Sequence, residues 1–184
     1  MKAFPFILTA AAIALPAASA TAAVTVIGDS QAASCYHSAE RAQLGDDSVD
    51  ECSAALNDGG LTDRDIVATR VNRGILHMLR HEDLLATQDF DIAASLDPRE
   101  PEAYLNKALL RLRQGKGSDA LPLIAQAMDR HTARPELAFY ARGVANELNG
   151  DLRAAYADLK MAQSLSPRWA VPSQELARYR VISR

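Results

Sequence analysis

The chain has 184 residues and a formal net charge of −3 at pH 7. That length fits one domain with a core of its own, and the mild acidity, without a cluster of Lys and Arg, argues against binding to nucleic-acid phosphates. Aromatic residues make up only 5% of the chain, which is typical of closely packed helices rather than of a sheet sandwich.

The first residues, 1–20, are predicted to be a signal peptide. Lys2 precedes an apolar run over 4–17, and small residues then permit cleavage after Ala20 or after Ala22. We therefore expect an exported protein, periplasmic or secreted, with no stable membrane insertion after cleavage.

An uncleaved membrane anchor is the alternative interpretation of this N-terminal segment. Residues 4–27 carry no charge, and about 20 apolar residues can span a bilayer. Proline and the many small residues in the run favour cleavage instead.

After an extended start over 21–28, residues 29–60 are predicted to form a degenerate helical hairpin, with helices over 30–43 and 48–57. The chain has two cysteines, Cys35 on the first of these helices and Cys52 on the second. In an oxidising compartment this arrangement predicts a structural disulfide. A redox pair is the alternative, although that chemistry usually uses the shorter C-x-x-C spacing.

A motif then recurs at a spacing of about 34 residues, in units 67–100, 101–134 and 136–169. Small residues share the eighth, twentieth and twenty-seventh positions, and a large apolar residue shares the twenty-fourth. In order of position these are Gly74, Ala108 and Gly143; Ala86, Ala120 and Ala155; Ala93, Ala127 and Ala162; and Phe90, Ile124 and Leu159. Repetition at this period indicates stacked helical hairpins, none of which buries its apolar face alone.

Helix boundaries follow from residues that start and stop helices. Thr62, with Asp65 three residues later, predicts an N-cap, and Pro101 and Pro135 suit the first position of a helix. The fifteenth position of each unit, where the chain must turn, holds His81, Gly115 and Gly150. A last helix over 172–183, within the segment 170–184, is predicted to cap the array.

These residues resemble the tetratricopeptide repeat (TPR), and specifically exported bacterial TPR proteins whose units contain an Asn-Arg-Gly-like triplet. The triplets here are Asn72-Arg73-Gly74, Asn106-Lys107-Ala108 and Ala141-Arg142-Gly143. The resemblance covers 63–169 and departs from the family at Arg70, which replaces an aromatic residue, and at Thr132, where the other two units have proline. It implies an all-α fold, a right-handed α-solenoid of helical hairpins with three TPR units, the disulfide-linked hairpin before them and the cap helix after them.

In the TPR family the first helices of the units line a concave groove that binds a partner. The resemblance places eight residues in such a partner-binding groove: Val71, Asn72, Ile75, Leu105, Asn106, Leu109, Tyr140 and Val144. Asn72 and Asn106 would hold a partner's backbone, an amphipathic helix or an extended peptide would supply apolar anchors, and Tyr140 would be the main hot spot. The alternative is that several of these residues simply pack against the adjacent repeat or the cap helix.

Few residues suggest catalysis. His77 and His81 have the i, i+4 spacing at which two imidazoles can share a metal, but the sequence identifies no third ligand. We therefore predict a non-catalytic, cofactor-free adaptor of the cell envelope that binds a protein or peptide and no nucleic acid. A metal- or thiol-dependent enzyme or redox protein using His77/His81 or Cys35/Cys52 is the alternative. Oligomeric state and partner identity stay open.

Overall fold

The computed structural model describes residues 6–8, 21–26, 30–45 and 47–181. Helices account for nearly all of its regular structure: α1 Ser30–Glu40, α2 Ser48–Asn57, α3 Asp63–Leu79, α4 Asp83–Leu96, α5 Pro101–Arg113, α6 Gly117–Asp129, α7 Pro135–Leu148, α8 Leu152–Leu165 and α9 Ala170–Leu176. Two short antiparallel strands, β1 Phe6–Leu8 and β2 Tyr179–Val181, pair with Phe6 opposite Val181. None of the described helices is long and apolar enough to cross a membrane.

Four helical hairpins stack in chain order to form the predicted all-α solenoid. Within hairpins α1 packs on α2, α3 on α4, α5 on α6 and α7 on α8, and each hairpin also packs on the next. The first helices of the three repeats touch in succession, α3 with α5 and α5 with α7. They therefore form one continuous layer that carries the predicted groove residues.

The predicted helix starts and stops are confirmed. Thr62 caps α3, since its hydroxyl oxygen accepts the Asp65 backbone N–H at 3.2 Å. His81, Gly115 and Gly150 all have positive φ angles of 62°, 72° and 83°. The left-handed turn at Ala42 was not predicted, because alanine rarely adopts a positive φ. His131 also has a positive φ, of 60°, and like His81 it is of a residue type that tolerates this conformation.

The disulfide between Cys35 and Cys52 is present, and it joins α1 to α2 with a Cα–Cα distance of 4.9 Å. Closing a loop of this size, with a sequence separation of 17, stabilises a fold by about 3 kcal/mol in the chain-entropy model. The first hairpin has a neighbouring hairpin on one side only, so this bond replaces packing that an internal repeat would have.

The small residues of the repeats lie where the two helices of a hairpin approach each other. All nine of these glycines and alanines lie against the paired helix or within the core, and the alanines among them are fully buried. A Cβ atom on Gly74 would lie 2.5 Å from the Phe90 ring, and one on Gly143 would lie 3.2 Å from the Leu159 side chain. The shared positions therefore reflect helix packing, as the repeat pattern predicted.

A repeated ion pair links the same helices beside each glycine. Arg73 Nε lies 2.8 Å from Asp89 Oδ2, and Arg142 Nη2 lies 2.7 Å from Asp158 Oδ1. Arg70, the departure from the family pattern, also contacts Asp89, at 3.0 Å. The arginines of the first and third triplets thus bind the second helix of their own hairpin, whereas Lys107 of the second triplet pairs with Asp91 on α4 of the preceding hairpin.

The C-terminal cap differs from the prediction. The expected helix over 172–183 ends at Leu176, and Tyr179 belongs to β2. The Tyr179 hydroxyl donates to Glu147 Oε2 at 2.6 Å, and Arg178 pairs with both Glu147 and Glu175. These tertiary contacts, together with the β preference of aromatic and β-branched residues, prevail over the apolar stripe that suggested a longer helix.

We predict that Gly74→Ala destabilises the protein more than Gly143→Ala does, by about 1–3 kcal/mol. Both substitutions gain the same helix propensity, about 1 kcal/mol, so their difference compares a contact of 2.5 Å with the Phe90 ring against contacts of 3.2 Å with the Ala155 carbonyl oxygen and the Leu159 side chain. Urea unfolding gives the two free energies. Adding Phe90→Leu to Gly74→Ala should restore part of the loss, and a Gly74→Ala protein more stable than the wild type would contradict the packing described here.

Candidate functional site

The eight predicted groove residues do lie together on α3, α5 and α7, but they are not open to solvent. Each is at most 4% exposed. The solvent-facing strip expected from the sequence is therefore covered, and two different parts of the chain contact it: residues 21–26 at the asparagines and the C-terminal segment at Tyr140.

Residues 21–26, which follow the predicted signal peptide, run as an extended strand across the first helices. Asn106 of α5 holds Ala22 by both of its backbone groups: the Ala22 N–H donates to Asn106 Oδ1 at 3.1 Å, and Asn106 Nδ2 donates to the Ala22 carbonyl at 2.9 Å. The same amide nitrogen also donates to the carbonyl of Glu102, one helical turn earlier, at 2.9 Å. Asn106 is thereby fully satisfied although it is fully buried.

Asn72 of α3 repeats this arrangement one unit earlier. The Val24 N–H donates to Asn72 Oδ1 at 2.8 Å, and Asn72 Nδ2 donates to the Val24 carbonyl at 2.7 Å. Alternate residues of an extended chain present their backbone groups in the same direction, so equivalent asparagines in successive repeats can each hold one of them. The strand runs from the second repeat at Ala22 towards the first at Val24.

The beginning of the strand is held at the third repeat. Arg134, which precedes α7, donates through Nη1 to the Thr21 carbonyl at 2.9 Å, and the Thr21 hydroxyl donates to the carbonyl of Ala39 on α1 at 3.5 Å. Arg134 is itself paired with Glu136, Nε to Oε1, at 2.6 Å. Thus three consecutive repeats and the first hairpin all contact the strand.

The hydrogen bonds to the asparagines involve every second residue of the strand, but side-chain burial along the strand does not follow this alternation. Ala22 is fully enclosed, and Val26 is buried in a small cluster with Ala32, Ala55 and Ala68. Thr25, by contrast, is exposed. The site therefore accepts a small side chain at the level of Asn106 and a β-branched one in the cluster below Asn72.

A carboxyl pair, Glu100 and Glu102, lies at the start of α5, beside the turn that leads into α7. Glu102 accepts from the Thr132 hydroxyl at 2.9 Å and from the Ala133 N–H at 2.8 Å. Thr132, which departs from the family pattern, thus has a specific role as a donor to Glu102. Glu100 caps α5 by accepting the Glu102 N–H at 3.2 Å. Burial, with the neighbouring Glu102 carboxylate, raises the pKa of Glu100 to about 8.

Tyr140 does not have the exposed position that the hot-spot prediction requires. Its ring is fully buried and meets Trp169 edge-on, with ring centroids 5.0 Å apart. Its hydroxyl finds no hydrogen-bond partner among the residues that the structure describes, and burial raises its pKa. Tyr140 is therefore a core residue between the third repeat and the C-terminal segment, and not the exposed hot spot for a partner that was expected.

The other candidate residues do not assemble a reactive centre. His77 is buried and its Nδ1 lies 2.6 Å from Glu82 Oε2, whereas His81 is exposed at its turn. Across the described parts of the chain, no group of three or more His, Cys, Asp or Glu side chains is placed to hold a metal ion. Cys35 and Cys52 are bonded to each other.

An exposed apolar cleft lies on the outer face, along α4. Leu84 is 87% exposed, and with Ile92 and Leu96 it lines a shallow cleft along that helix. These side chains lie on the second helix of the first repeat, away from the strand over 21–26.

The strand over 21–26 is the part of the site that the sequence did not reveal, beyond the expectation of an extended start. A weak signal was nevertheless present, since Val24, Thr25 and Val26 are β-branched residues, which favour an extended backbone. The sequence did not show that Asn72 and Asn106 would be buried, and buried amides need hydrogen-bond partners.

Comparisons with known proteins bear on the fold. No family model matches the chain, and no curated protein matches it. Among solved structures it is similar to one described as "MamA RS-1 ArsTM double mutant", with a TM-score of 0.60 and 16% sequence identity, over 80% of this chain and 82% of that one. MamA is a TPR-like protein, and at this identity the similarity shows the fold alone. The chain is an all-α, TPR-like solenoid of helical hairpins.

We predict that Tyr140→Ala lowers the free energy of unfolding by about 3–5 kcal/mol, because it leaves a cavity beside Trp169. Tyr140→Phe keeps the ring and removes only the unpartnered hydroxyl, so it should be neutral or slightly stabilising. Urea denaturation followed by Trp169 fluorescence measures both. Equal losses for the two variants would mean that the hydroxyl, not the ring, supports the fold.

The raised pKa of Glu100 predicts a pH dependence of stability. In the unfolded chain the carboxyl ionises near its ordinary pKa of about 4.3, whereas in the folded protein it ionises near pH 8. Its contribution to stability is therefore full below about pH 4 and is lost as the pH rises towards 8.

Glu100→Gln mimics the protonated side chain and keeps the acceptor for the Glu102 N–H. We expect the variant and the wild type to be equally stable near pH 4, and the variant to become more stable by on the order of 1 kcal/mol above pH 8. Urea titrations at several pH values test this. A difference between the two proteins that does not change with pH would show that Glu100 is not buried as described.

Proposed function

We propose that this protein is a non-catalytic adaptor of the cell envelope that binds a protein partner through an extended segment of that partner's chain, laid along the first helices of its repeats. The observation that carries the proposal is the pair of asparagines, Asn72 and Asn106. Each forms two hydrogen bonds with the backbone of one residue of an extended strand.

Backbone geometry selects an extended ligand over a helical one. The asparagines bind both the N–H and the C=O of a single residue, and inside a helix both groups are already used by other turns. Of the two ligand types that the TPR resemblance allowed, the extended peptide therefore matches the groove. The family's recognition of acidic C-termini is not expected, because the inward positions it needs hold Val71 and Ile75.

Export is part of the proposal. The predicted signal peptide over 1–20 would deliver the chain to an oxidising compartment, where the bond between Cys35 and Cys52 persists. Cleavage after Ala20 would leave the whole strand over 21–26 on the mature chain. Cleavage after Ala22 would remove one of the two residues that the asparagines hold.

The alternative of a metal- or thiol-dependent enzyme gains no support from the described residues. The two cysteines are joined in one disulfide, and the two histidines differ in burial and do not converge on a shared point.

Site-specific photo-crosslinking in the native host tests the proposal. A photo-reactive amino acid replaces either Arg134, beside the strand, or Leu84, on the outer face of α4, and crosslinked species are identified by mass spectrometry. We expect a defined protein partner to crosslink from position 134 and not from position 84.

Crosslinks from position 84 alone would place binding on the outer face and contradict the groove. A chain that is folded and exported, yet crosslinks to nothing from either position, would contradict the adaptor function itself.

A further inference from the structure

We propose that residues 21–26 occupy the ligand site of this protein's own groove, and that the external ligand is an extended peptide of the same pattern, a small residue followed two and four positions later by β-branched residues. This inference rests on the proposed function and specifies its ligand. Three observations support it, namely the backbone pairs, the enclosed side-chain positions and the short connection to α1.

The backbone pairs show that the strand is bound as a ligand would be bound. Its hydrogen bonds with α3 and α5 come from asparagine side chains that reach both the N–H and the C=O of Ala22 and Val24, at 2.7–3.1 Å. None of these four bonds depends on which side chain the strand residue carries. Another extended chain could therefore replace the strand without leaving Asn72 or Asn106 unsatisfied. In an empty groove both amides would lose these hydrogen bonds and would be only partly hydrated beside apolar neighbours, which costs free energy.

The side chains of the strand supply the selectivity. Ala22 has no exposed surface, so a larger residue at that level would collide with the groove wall. Val26 fills a cluster made by three alanines, Ala32, Ala55 and Ala68, where a β-branched side chain fits and a charged one would lose its hydration. Position 25 is exposed and should accept most residues.

The connection to the fold makes the strand an effective competitor. In the sequence three residues, 27–29, lie between it and the start of α1 at Ser30, and a ligand tethered over so few residues has an effective concentration of about 1 mM. With a Kd of about 10 μM of the strand itself for the free groove, an effective concentration of about 1 mM weakens the apparent binding of any external peptide roughly 100-fold. Partners would then bind only when they are tethered, abundant or held by additional contacts.

The test compares an opened variant with the unchanged chain, using the labelled synthetic peptide Thr-Ala-Ala-Val-Thr-Val as the probe. In the variant, Ala22→Pro and Val24→Pro remove the two N–H groups that donate to Asn106 and Asn72. Ala23→Pro is the matched control, because it adds a proline to the strand and leaves both donors in place. Fluorescence anisotropy measures the Kd, and circular dichroism verifies that each variant is folded.

The expected result is that the opened variant binds the probe about 100-fold more tightly than either the unchanged chain or the Ala23→Pro control. A second peptide with Phe at the position of Ala22 should not bind the opened variant. Equal affinity of all three proteins for the probe, or absence of binding to a folded opened variant, would overturn the inference. So would dimerisation of the opened variant that the probe cannot reverse, which would identify a second copy of the chain as the ligand.

A measurement on the unchanged chain covers the case in which the opened variant does not fold. The amides of Ala22 and Val24 should exchange slowly with deuterium, and millimolar probe should accelerate their exchange while leaving helix amides unchanged. No acceleration at saturating probe would overturn the inference. Because the crosslinking experiment at position 134 is independent of the probe, a failed peptide test with retained crosslinking would reject this ligand class alone, whereas lost crosslinking would reject the adaptor function.

Discussion

The close approach of the two helices in each hairpin is the constraint from which the rest of this molecule follows. Gly74 faces the Phe90 ring at a distance that leaves no room for a methyl group, and Gly143 faces Leu159 almost as closely. Because the two helices of a hairpin lie so close, the second helices form an outer layer. The first helices α3, α5 and α7 contact one another in succession and form a continuous inner layer. A bulkier residue at the eighth position of a unit would separate the helices and tilt this layer.

One turn of α3 shows how the repeated triplet uses that geometry. Successive helical residues point about 100° apart, so three neighbours can serve three surfaces. Asn72 reaches the inner layer and holds Val24, Arg73 pairs with Asp89 on α4, and Gly74 admits Phe90. The third unit keeps the arginine and the glycine but has Ala141 in place of the asparagine, and there the strand is held instead by Arg134.

Burial of the two asparagines makes the strand and the groove depend on each other. A buried amide without partners costs about 1–3 kcal/mol, and the N–H and C=O groups of an extended strand have the same need. Pairing them satisfies both sets of groups at once, which explains how an alanine-rich stretch with few large side chains becomes ordered. The buried asparagines thus require the backbone groups of residues 21–26 as much as that segment requires theirs.

Tyr140 and the last helix show where inference from repeat position fails. Position in the repeat placed Tyr140 on the inner face, which is correct, but its exposure depends on what the C-terminal segment does, and Trp169 covers it. Likewise, the apolar stripe after Pro172 suggested a helix to residue 183, whereas Glu147 on α7 draws Arg178 and Tyr179 into a different path. In both cases a contact between residues distant in sequence determines the structure, and the local pattern does not.

The amino-acid sequence by itself determined the hairpin architecture, the main starts and turns of the repeat helices and the Cys35–Cys52 bond. Each depends on a local signal: a period, a capping residue, a residue that tolerates positive φ, or a pair of cysteines on adjacent helices. It also placed Asn72 and Asn106 correctly on the inner layer. Only the tertiary structure decided that Ala22 and Val24 would pair with them, since that contact joins positions 84 and 48 residues apart. A backbone hydrogen bond has no preference for side-chain type, so no residue pattern along the chain could specify which segment the asparagines would hold.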